Sequence, residues 1–220
     1  MRMKKIIFFL YFILGIGSVT MAQTQAGNIF MNASLGWNND ESTSNGTNSA
    51  GVVTSNSQKS SSFNIQPMVG IFVTDNLALG LFASYEQART ESIYPDVSNN
   101  SSNKMNAYTV GPFIRKFFPL NEKFALYGQG NLGYSHSFTR FEPEIVGTVF
   151  STNSKYNSFS AALRPGIVFF ATNKIGIDLS VQGLQYSIGK EKNSSRSINN
   201  FNADFHFPNL NIGLNIYLNR

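Results

Sequence analysis

The two histidines are the side chains best suited to serve as the base for a serine nucleophile. His136 lies between Ser135 and Ser137, and His206 lies between two phenylalanines. In a strand, adjacent side chains point to opposite faces, so His136 cannot serve either serine beside it. The sequence also lacks cysteine, a phosphate-binding loop, a paired-histidine metal spacing and a glycine-rich dinucleotide turn. We therefore predict no catalytic, cofactor-binding or metal-binding residues, and a protein that is not an enzyme.

A second set of reactive groups comprises four charged residues within segments that otherwise alternate between apolar and small polar side chains. These are Glu86, Arg115, Arg164 and Asp178. Their positions place them on the polar face of each segment. An unpaired charge in a poorly hydrated interior is costly, so opposite charges are expected to pair there. We predict that Arg164 pairs with Asp178 and that the four charges have a structural role. Control of a narrow water path is the alternative.

The elements that carry these residues have a period of two, which is typical of β-strands. In the first, Ile29, Leu35 and Trp37 share one face while Asn32 and Ser34 share the other. Similar alternation predicts eight strands in all. They cover residues 29–37, 62–71, 77–89, 105–117, 124–138, 157–170, 175–186 and 201–218.

The connections between these strands alternate in length. Short turns are predicted at 74–76, 119–122 and 171–173, and long polar loops at 38–61, 90–104, 139–156 and 187–200. Short turns on one rim and long loops on the other are typical of outer-membrane barrels. The pattern predicts an all-β fold, an eight-stranded antiparallel transmembrane up-and-down β-barrel with short periplasmic turns and long extracellular loops.

The composition of the two faces decides which one contacts lipid. The apolar face is rich in Leu, Ile and Val, whereas the other carries Asn, Gln, Ser and Gly with few charges. Small polar residues suit a narrow barrel interior, so the apolar face is predicted to face lipid. Aromatic residues are predicted to form two interfacial girdles. The loop-side girdle is Trp37, Phe63, Tyr85, Tyr108, Tyr134, Phe138, Tyr156 and Phe159, and the turn-side girdle is Phe117, Phe118, Phe124, Phe169 and Phe170. A soluble secreted ligand-binding barrel is the alternative.

The start of the chain is typical of a secretory signal peptide. Arg2, Lys4 and Lys5 precede an apolar run over residues 6–17 and a small-residue exit at 20–22. The run is shorter than the ~20 apolar residues of a transmembrane helix. We predict a signal peptide over 1–22 and a barrel domain over 23–220. Removal of the three cations lowers the net charge from +5 to +2, which argues against a nucleic-acid partner.

Two motifs are similar to a known family. The stretch from Pro67 to Gly80, PMVGIFVTDNLALG, and the stretch from Gly111 to Arg115, GPFIR, resemble a hairpin and a strand of the outer-membrane β-barrel domain family of small barrels like OmpA and OmpX. The resemblance implies residence in the bacterial outer membrane and no particular activity. In addition, residues 211–218 resemble the C-terminal signal read by the barrel-assembly machinery, although the usual terminal aromatic is absent.

These observations predict a small integral outer-membrane barrel with a structural or surface-interaction role and no catalysis. Its expected partners are outer-membrane lipid and lipopolysaccharide, the assembly machinery during biogenesis, and an extracellular ligand or surface. Eight strands leave an interior only wide enough for side chains, which argues against a general pore. A narrow channel or transporter for small or apolar solutes and a lipid-modifying outer-membrane enzyme are the alternatives.

Overall fold

The computed structural model describes residues 22–47, 53–93, 99–145, 148–191, 197–205 and 210–218. Residues 1–21 of the predicted signal peptide lie outside these ranges, so the cleavage site stays a prediction. His206 also lies outside the described residues. A short 3-10 helix at Ala22–Thr24 comes first. No helix among the described residues is long and apolar enough to cross a membrane.

All other regular elements are strands of one antiparallel sheet. They are β1 (Ile29–Thr47), β2 (Val53–Thr74), β3 (Leu77–Ile93), β4 (Asn99–Pro119), β5 (Phe124–Ile145), β6 (Thr148–Val149), β7 (Thr152–Phe170), β8 (Ile175–Ser180), β9 (Gly183–Glu191), β10 (Ser197–Asp204) and β11 (Asn211–Leu218).

The sheet closes into a ring of eight strands because β11 pairs with β1 between Ile29 and Gly36. Strands β1 to β5 and β7 fill the first six positions around the ring. The seventh position is shared by β8 and β9, and the eighth by β10 and β11. Closure gives each of the eight positions around the ring two hydrogen-bonded neighbours, as hydrocarbon surroundings require. Beyond Gly36, β1 pairs with β2, and β10 pairs with β9. The fold class predicted from the sequence is confirmed.

Short turns join the strands at one end, called here the turn end; the other is the hairpin end. Asn76 adopts a φ of 64°, a left-handed conformation that Asn tolerates better than most residues, and so closes the β2–β3 turn. In the next turn the Asn121 Oδ1 accepts hydrogen bonds from the backbone N–H groups of Lys123 and Phe124. Thr172 Oγ1 does the same for Lys174 and Ile175. The three predicted turns are therefore held by local side-chain chemistry.

At the hairpin end the strands extend far beyond the predicted bounds. β1 and β2 remain paired up to Thr47 and Val53, within the segment that was predicted to be a loop. The side chains of residues 38–44 and 56–61 are exposed or half-buried on both faces, so no apolar alternation marks these extensions. Backbone pairing holds the two strands together. The seventh predicted strand is interrupted between β8 and β9. The eighth is described as two segments, β10 and β11, and residues 206–209 lie outside the described part. Gly183, with a φ of 71°, is the first residue of β9 and pairs with Asp204 of β10, and pairing with β7 begins at the next residue.

The side chains on the two faces of the barrel wall differ as predicted. Leu81, Leu132 and Val110 point outward and are 64%, 61% and 57% exposed, although they are apolar. Asn32, Gln129 and Asn131 point inward and are buried. The girdle prediction was wrong at three positions. Phe117 and Phe170 are 1% and 3% exposed and point into the barrel, and Tyr156 shares the parity of the inward Ser158 and lies beside Gly189. All three lie on the inward parity of their strands, which overrides their position at a strand end.

Candidate functional site

The turn end of the lumen is filled by an aromatic plug, defined here as seven buried rings. They are Phe30, Phe72, Phe113, Phe117, Tyr127, Phe170 and Tyr217. Phe30 lies at the centre and meets the rings of Phe72, Phe113 and Phe117 edge to face at centroid distances of 6.1–6.3 Å. This arrangement is favourable for aromatic pairs. Because the rings come from β1, β2, β4, β5, β7 and β11, the plug connects most of the circumference.

Glycines in the wall make room for these rings. A Cβ atom at Gly80 would lie 2.8 Å from Cε1 of Phe113, and one at Gly70 would lie 2.9 Å from Cζ of the same ring. A side chain at either position would displace the ring or the opposite backbone. The small residues on the inward face thus allow large ones to fit across the lumen.

An ion pair lies directly on the plug. Arg115 Nη1 donates to Asp178 Oδ2 at 2.9 Å, and both side chains are 2% exposed. The guanidinium carbon of Arg115 lies 4.2 Å from the ring centroid of Tyr127 and 4.8 Å from that of Phe30, within cation–π range. Arg115 also donates through Nε to Gln129 Oε1 at 2.6 Å. The cation is therefore held by a carboxylate, an amide and two rings.

Asp178 accepts several hydrogen bonds in addition to the ion pair. Tyr127 donates its hydroxyl at 3.2 Å, and Asn32 donates through Nδ2 at 3.4 Å, both to Oδ2. Gly213 lies beside the carboxylate, and a Cβ at that position would overlap the other oxygen. Asn32 also donates to Asn215 Oδ1 at 2.7 Å, so four strands contribute to this network in addition to the one that carries Asp178.

The predicted couple of Arg164 and Asp178 is not formed. Asp178 is opposite Val168 in the register of β7 and β8, so Arg164 lies four residues further along β7 toward the hairpin end. Arg164 instead donates through Nη1 to Gln66 Oε1 at 2.6 Å. Glu86, also placed on the lumen face, is exposed toward the hairpin end. The structure brings together Arg115 and Asp178, which come from strands that are not neighbours.

Little space remains between the Arg115–Asp178 pair and the Arg164–Gln66 pair. A cavity of about 10 Å³ remains between Arg115, Gln66 and Arg164, with Ser180 and Asn211 also on its wall. That is about the space of one water molecule. The sequence pattern did not lead to a predicted plug, although its signal was present: all seven phenylalanines and tyrosines of the plug share the parity of the polar residues along their strands. Side-chain packing closes this part of the lumen.

The histidine that the structure describes is turned away from this site. His136 lies on the outward face, with Nδ1 2.5 Å from Asn157 Oδ1 and its ring against Phe138. Ser135 points into the barrel, where its hydroxyl bonds that of Thr109 at 2.6 Å. Within the described ranges, no group of three or more His, Asp or Glu side chains is arranged to hold a metal ion.

The segment before β1 lies beneath the turn end. Thr24 is fully buried, and its hydroxyl bonds Asn76 Oδ1 at 2.5 Å while the backbone N–H of Asn76 donates to the Thr24 carbonyl at 2.8 Å. The N–H of Ala26 donates to Asp75 Oδ1 at 2.9 Å. Asn28 donates its side-chain amide to the carbonyl of Ala22 at 2.7 Å. This segment covers the rim below the aromatic plug.

Comparison with known proteins supports the fold. The chain is similar in structure to the outer membrane protein OprG from Pseudomonas aeruginosa, with a TM-score of 0.50, 12% identity, and coverage of 91% of this chain and 100% of that one. It is also similar to Ail, the attachment invasion locus protein of Yersinia pestis, with a TM-score of 0.37, 18% identity, and coverage of 88% and 96%. The outer membrane protease OmpT from Escherichia coli gives a TM-score of 0.43, 10% identity, and coverage of 92% and 97%.

The likeness to OprG, at 12% identity, concerns the fold alone. No curated protein matches the sequence. The family model for the outer membrane protein beta-barrel domain matches residues 8–216, which is nearly the whole chain. The family and the ring of eight strands place the protein in the bacterial outer membrane, with the turn end in the periplasm and the hairpin end outside the cell. The chain is a member of the outer membrane protein beta-barrel domain family.

Proposed function

We propose that this protein is a structural and surface-interaction barrel of the outer membrane, without catalysis. The observation that carries the proposal is the filled lumen, in which the aromatic plug and the Arg115–Asp178 pair occupy the cross-section. A solute passing along the axis would have to displace buried rings and break a buried ion pair. The four lumen charges accordingly have a structural role in this proposal.

The hairpin end supports the surface role. β1 and β2 stay paired for ten residues beyond Trp37, and this extension is built almost entirely from Ser, Thr, Asn and a few charged residues. Over residues 38–44 of β1 and 56–61 of β2, the paired strands present polar side chains on both faces, as a surface for an extracellular ligand would. In biogenesis, the C-terminal strand β11 is the segment that the barrel-assembly machinery would read.

Planar-bilayer recording tests the closed lumen. The purified protein should give no conductance steps, and neither should the double variant Arg115→Gln, Arg164→Gln if it folds, because the plug remains in place. Steps from the wild-type protein, or swelling of liposomes in a small sugar, would favour the channel alternative. Steps that arise in the double variant alone would assign a gating role to the charges.

Two strain experiments test the surface role and the absence of catalysis. Shortening the β1–β2 hairpin by removal of residues 40–59 should reduce adhesion or envelope integrity while the heat-modifiable gel migration of a folded barrel persists. An adhesion and detergent-sensitivity profile equal to wild type would contradict the surface role. Deletion of the gene should leave the acylation pattern of lipid A unchanged, and a changed pattern would favour the lipid-modifying enzyme.

A further inference from the structure

We propose that removal of the signal peptide leaves Gln23 as the first residue of the mature protein and that Gln23 then closes to pyroglutamate. The resulting five-membered lactam is a neutral cap on the segment that lies beneath the turn end. This modification site is on the periplasmic side of the barrel, so it is independent of the surface role proposed for the hairpin end. Three features carry the proposal: the residue type at the predicted cut, the burial of that residue and the contacts that hold it.

The predicted cut leaves a glutamine at the start of the chain. The small-residue exit at residues 20–22 places the cut after Ala22, so Gln23 receives the free α-amine. The side-chain amide of a glutamine is at the right distance from its own α-amine to form an unstrained five-membered ring. Gln25, two residues further on, keeps its nitrogen in a peptide bond and cannot react in this way. The position of the cut therefore decides whether the ring forms.

The ring closure needs neither a cofactor nor a second substrate. The α-nitrogen of Gln23 attacks the side-chain carbon Cδ, so that a C–N bond forms and the bond from Cδ to Nε2 breaks. The attacking nitrogen gives up one proton, and Nε2 leaves as ammonia. The product keeps one N–H donor and one carbonyl acceptor, and it has lost the positive charge of the chain end. Because the attack occurs within one residue, it can take place in the periplasm before the barrel folds and buries Gln23.

Burial of Gln23 makes a charged chain end unfavourable at this place. The residue is 5% exposed, and Thr24 after it is fully buried. An unmodified α-amine is protonated at neutral pH. The carboxylate that this segment contacts belongs to Asp75, and it already accepts the backbone N–H of Ala26 at 2.9 Å. A buried charge without a partner is costly, whereas a neutral lactam avoids that cost.

Contacts with the rim hold Gln23 in place. Its Nε2 donates to Asn173 Oδ1 in the β7–β8 turn at 3.4 Å, and its carbonyl accepts from Asn28 Nδ2 at 3.4 Å. Thr24 is bonded to a different turn, between β2 and β3. The cut removes the Ala22 carbonyl from Asn28 but leaves that of Gln23 as an acceptor. Most chain ends are poorly ordered, whereas the first mature residue here is part of the rim.

Amine labelling of the intact protein tests the modification. The protein is purified from the outer membrane of the cells that produce it naturally, unfolded, and reductively dimethylated, so that every free α-amine is marked before any peptide is made. Chymotryptic cleavage after Phe30 then releases residues 23–30 for mass spectrometry. The wild-type peptide should be unlabelled and lighter than the glutamine form by one ammonia. A labelled Gln23, or a chain that begins at any other residue, would overturn the proposal.

Two variants are matched controls for the ring closure. Gln23→Asn keeps the amide but is one methylene too short for a five-membered ring, and Gln23→Glu keeps the length but has a much poorer leaving group. Both should carry the label on their first residue, while heat-modifiable gel migration shows a folded barrel. The second variant serves if the first is not exported or folded. An unlabelled first residue in Gln23→Asn would mean that another modification blocks the amine, which would also overturn the proposal.

Hydrogen exchange tests whether the neutral cap matters for docking of the segment. The backbone N–H of Asn76 donates to the Thr24 carbonyl, so its protection from exchange reports the docked segment. In Gln23→Asn the charged amine should weaken docking and raise the exchange rate of this N–H about tenfold. The control Gln25→Asn shortens an exposed amide nearby without changing the chain end, and it should leave the rate unchanged. Equal rates in the wild-type protein and Gln23→Asn would contradict the packing of the lactam beneath the turn end.

Discussion

Removal of the Asp178 carboxylate should destabilise the barrel more than any surface substitution. Asp178→Ala deletes the partner of Arg115 together with the acceptor of the Tyr127 and Asn32 hydrogen bonds. It leaves a guanidinium that is 2% exposed without a counter-charge. Breaking a buried pair in this way costs about 3–5 kcal/mol, because the remaining ion cannot regain its hydration. We expect the free energy of unfolding to fall by that amount.

Urea-induced unfolding from lipid vesicles measures this difference. Trp37 is the only tryptophan of the chain and is 70% exposed on the outward face, so its emission reports when the wall leaves the lipid. Lys59→Gln is the control, since it breaks the Lys59–Glu41 pair at 3.1 Å, whose two side chains are more than half exposed. Exposed pairs contribute at most about 1 kcal/mol.

The double variant Arg115→Met, Asp178→Leu separates the ion pair from general damage to the lumen. It leaves no unpaired charge, so it should be destabilised less than the sum of its two single variants by about 2–3 kcal/mol. The reasoning would be refuted if Asp178→Ala cost no more than Lys59→Gln. Additive costs of the two single substitutions would equally show that the charges do not interact in the folded barrel.

Two further substitutions test the packing around this pair. Gly213→Ala should lower the free energy of unfolding by about 1–3 kcal/mol in the same assay, because its Cβ would overlap the Asp178 carboxylate. The control Gly128→Ala, whose Cβ would meet nothing within 4 Å, should change it by less than about 0.5 kcal/mol. Equal effects of the two substitutions would contradict the steric argument. Phe30→Ala should cost about 3–5 kcal/mol by removing the centre of the aromatic plug, without producing conductance, because the Arg115 layer remains. Conductance steps from this variant would mean that the plug alone closes the lumen.

The alternation of apolar and polar side chains predicted which residues of the barrel wall face outward. A wall with lipid on one side and a narrow polar interior on the other must alternate at every residue, so Leu81, Val110 and Leu132 identified the outward face from the sequence. The alternation stops where both faces meet water. For that reason the strand extensions at the hairpin end, such as β1 beyond Trp37, were predicted as loops.

Partners inside the lumen depend on how the strands are staggered around the ring. The sequence placed Arg115, Arg164 and Asp178 on the inward face but could not give their positions along the barrel axis. Because Arg164 and Asp178 lie on neighbouring strands, they were predicted to pair, and this was wrong. The register sets Asp178 opposite Val168 and leaves Arg115 to reach it across the barrel. Likewise, the aromatic plug arises from rings on six strands that meet only once the sheet has closed. Local sequence determines which face a side chain takes, whereas stagger and closure determine what it touches.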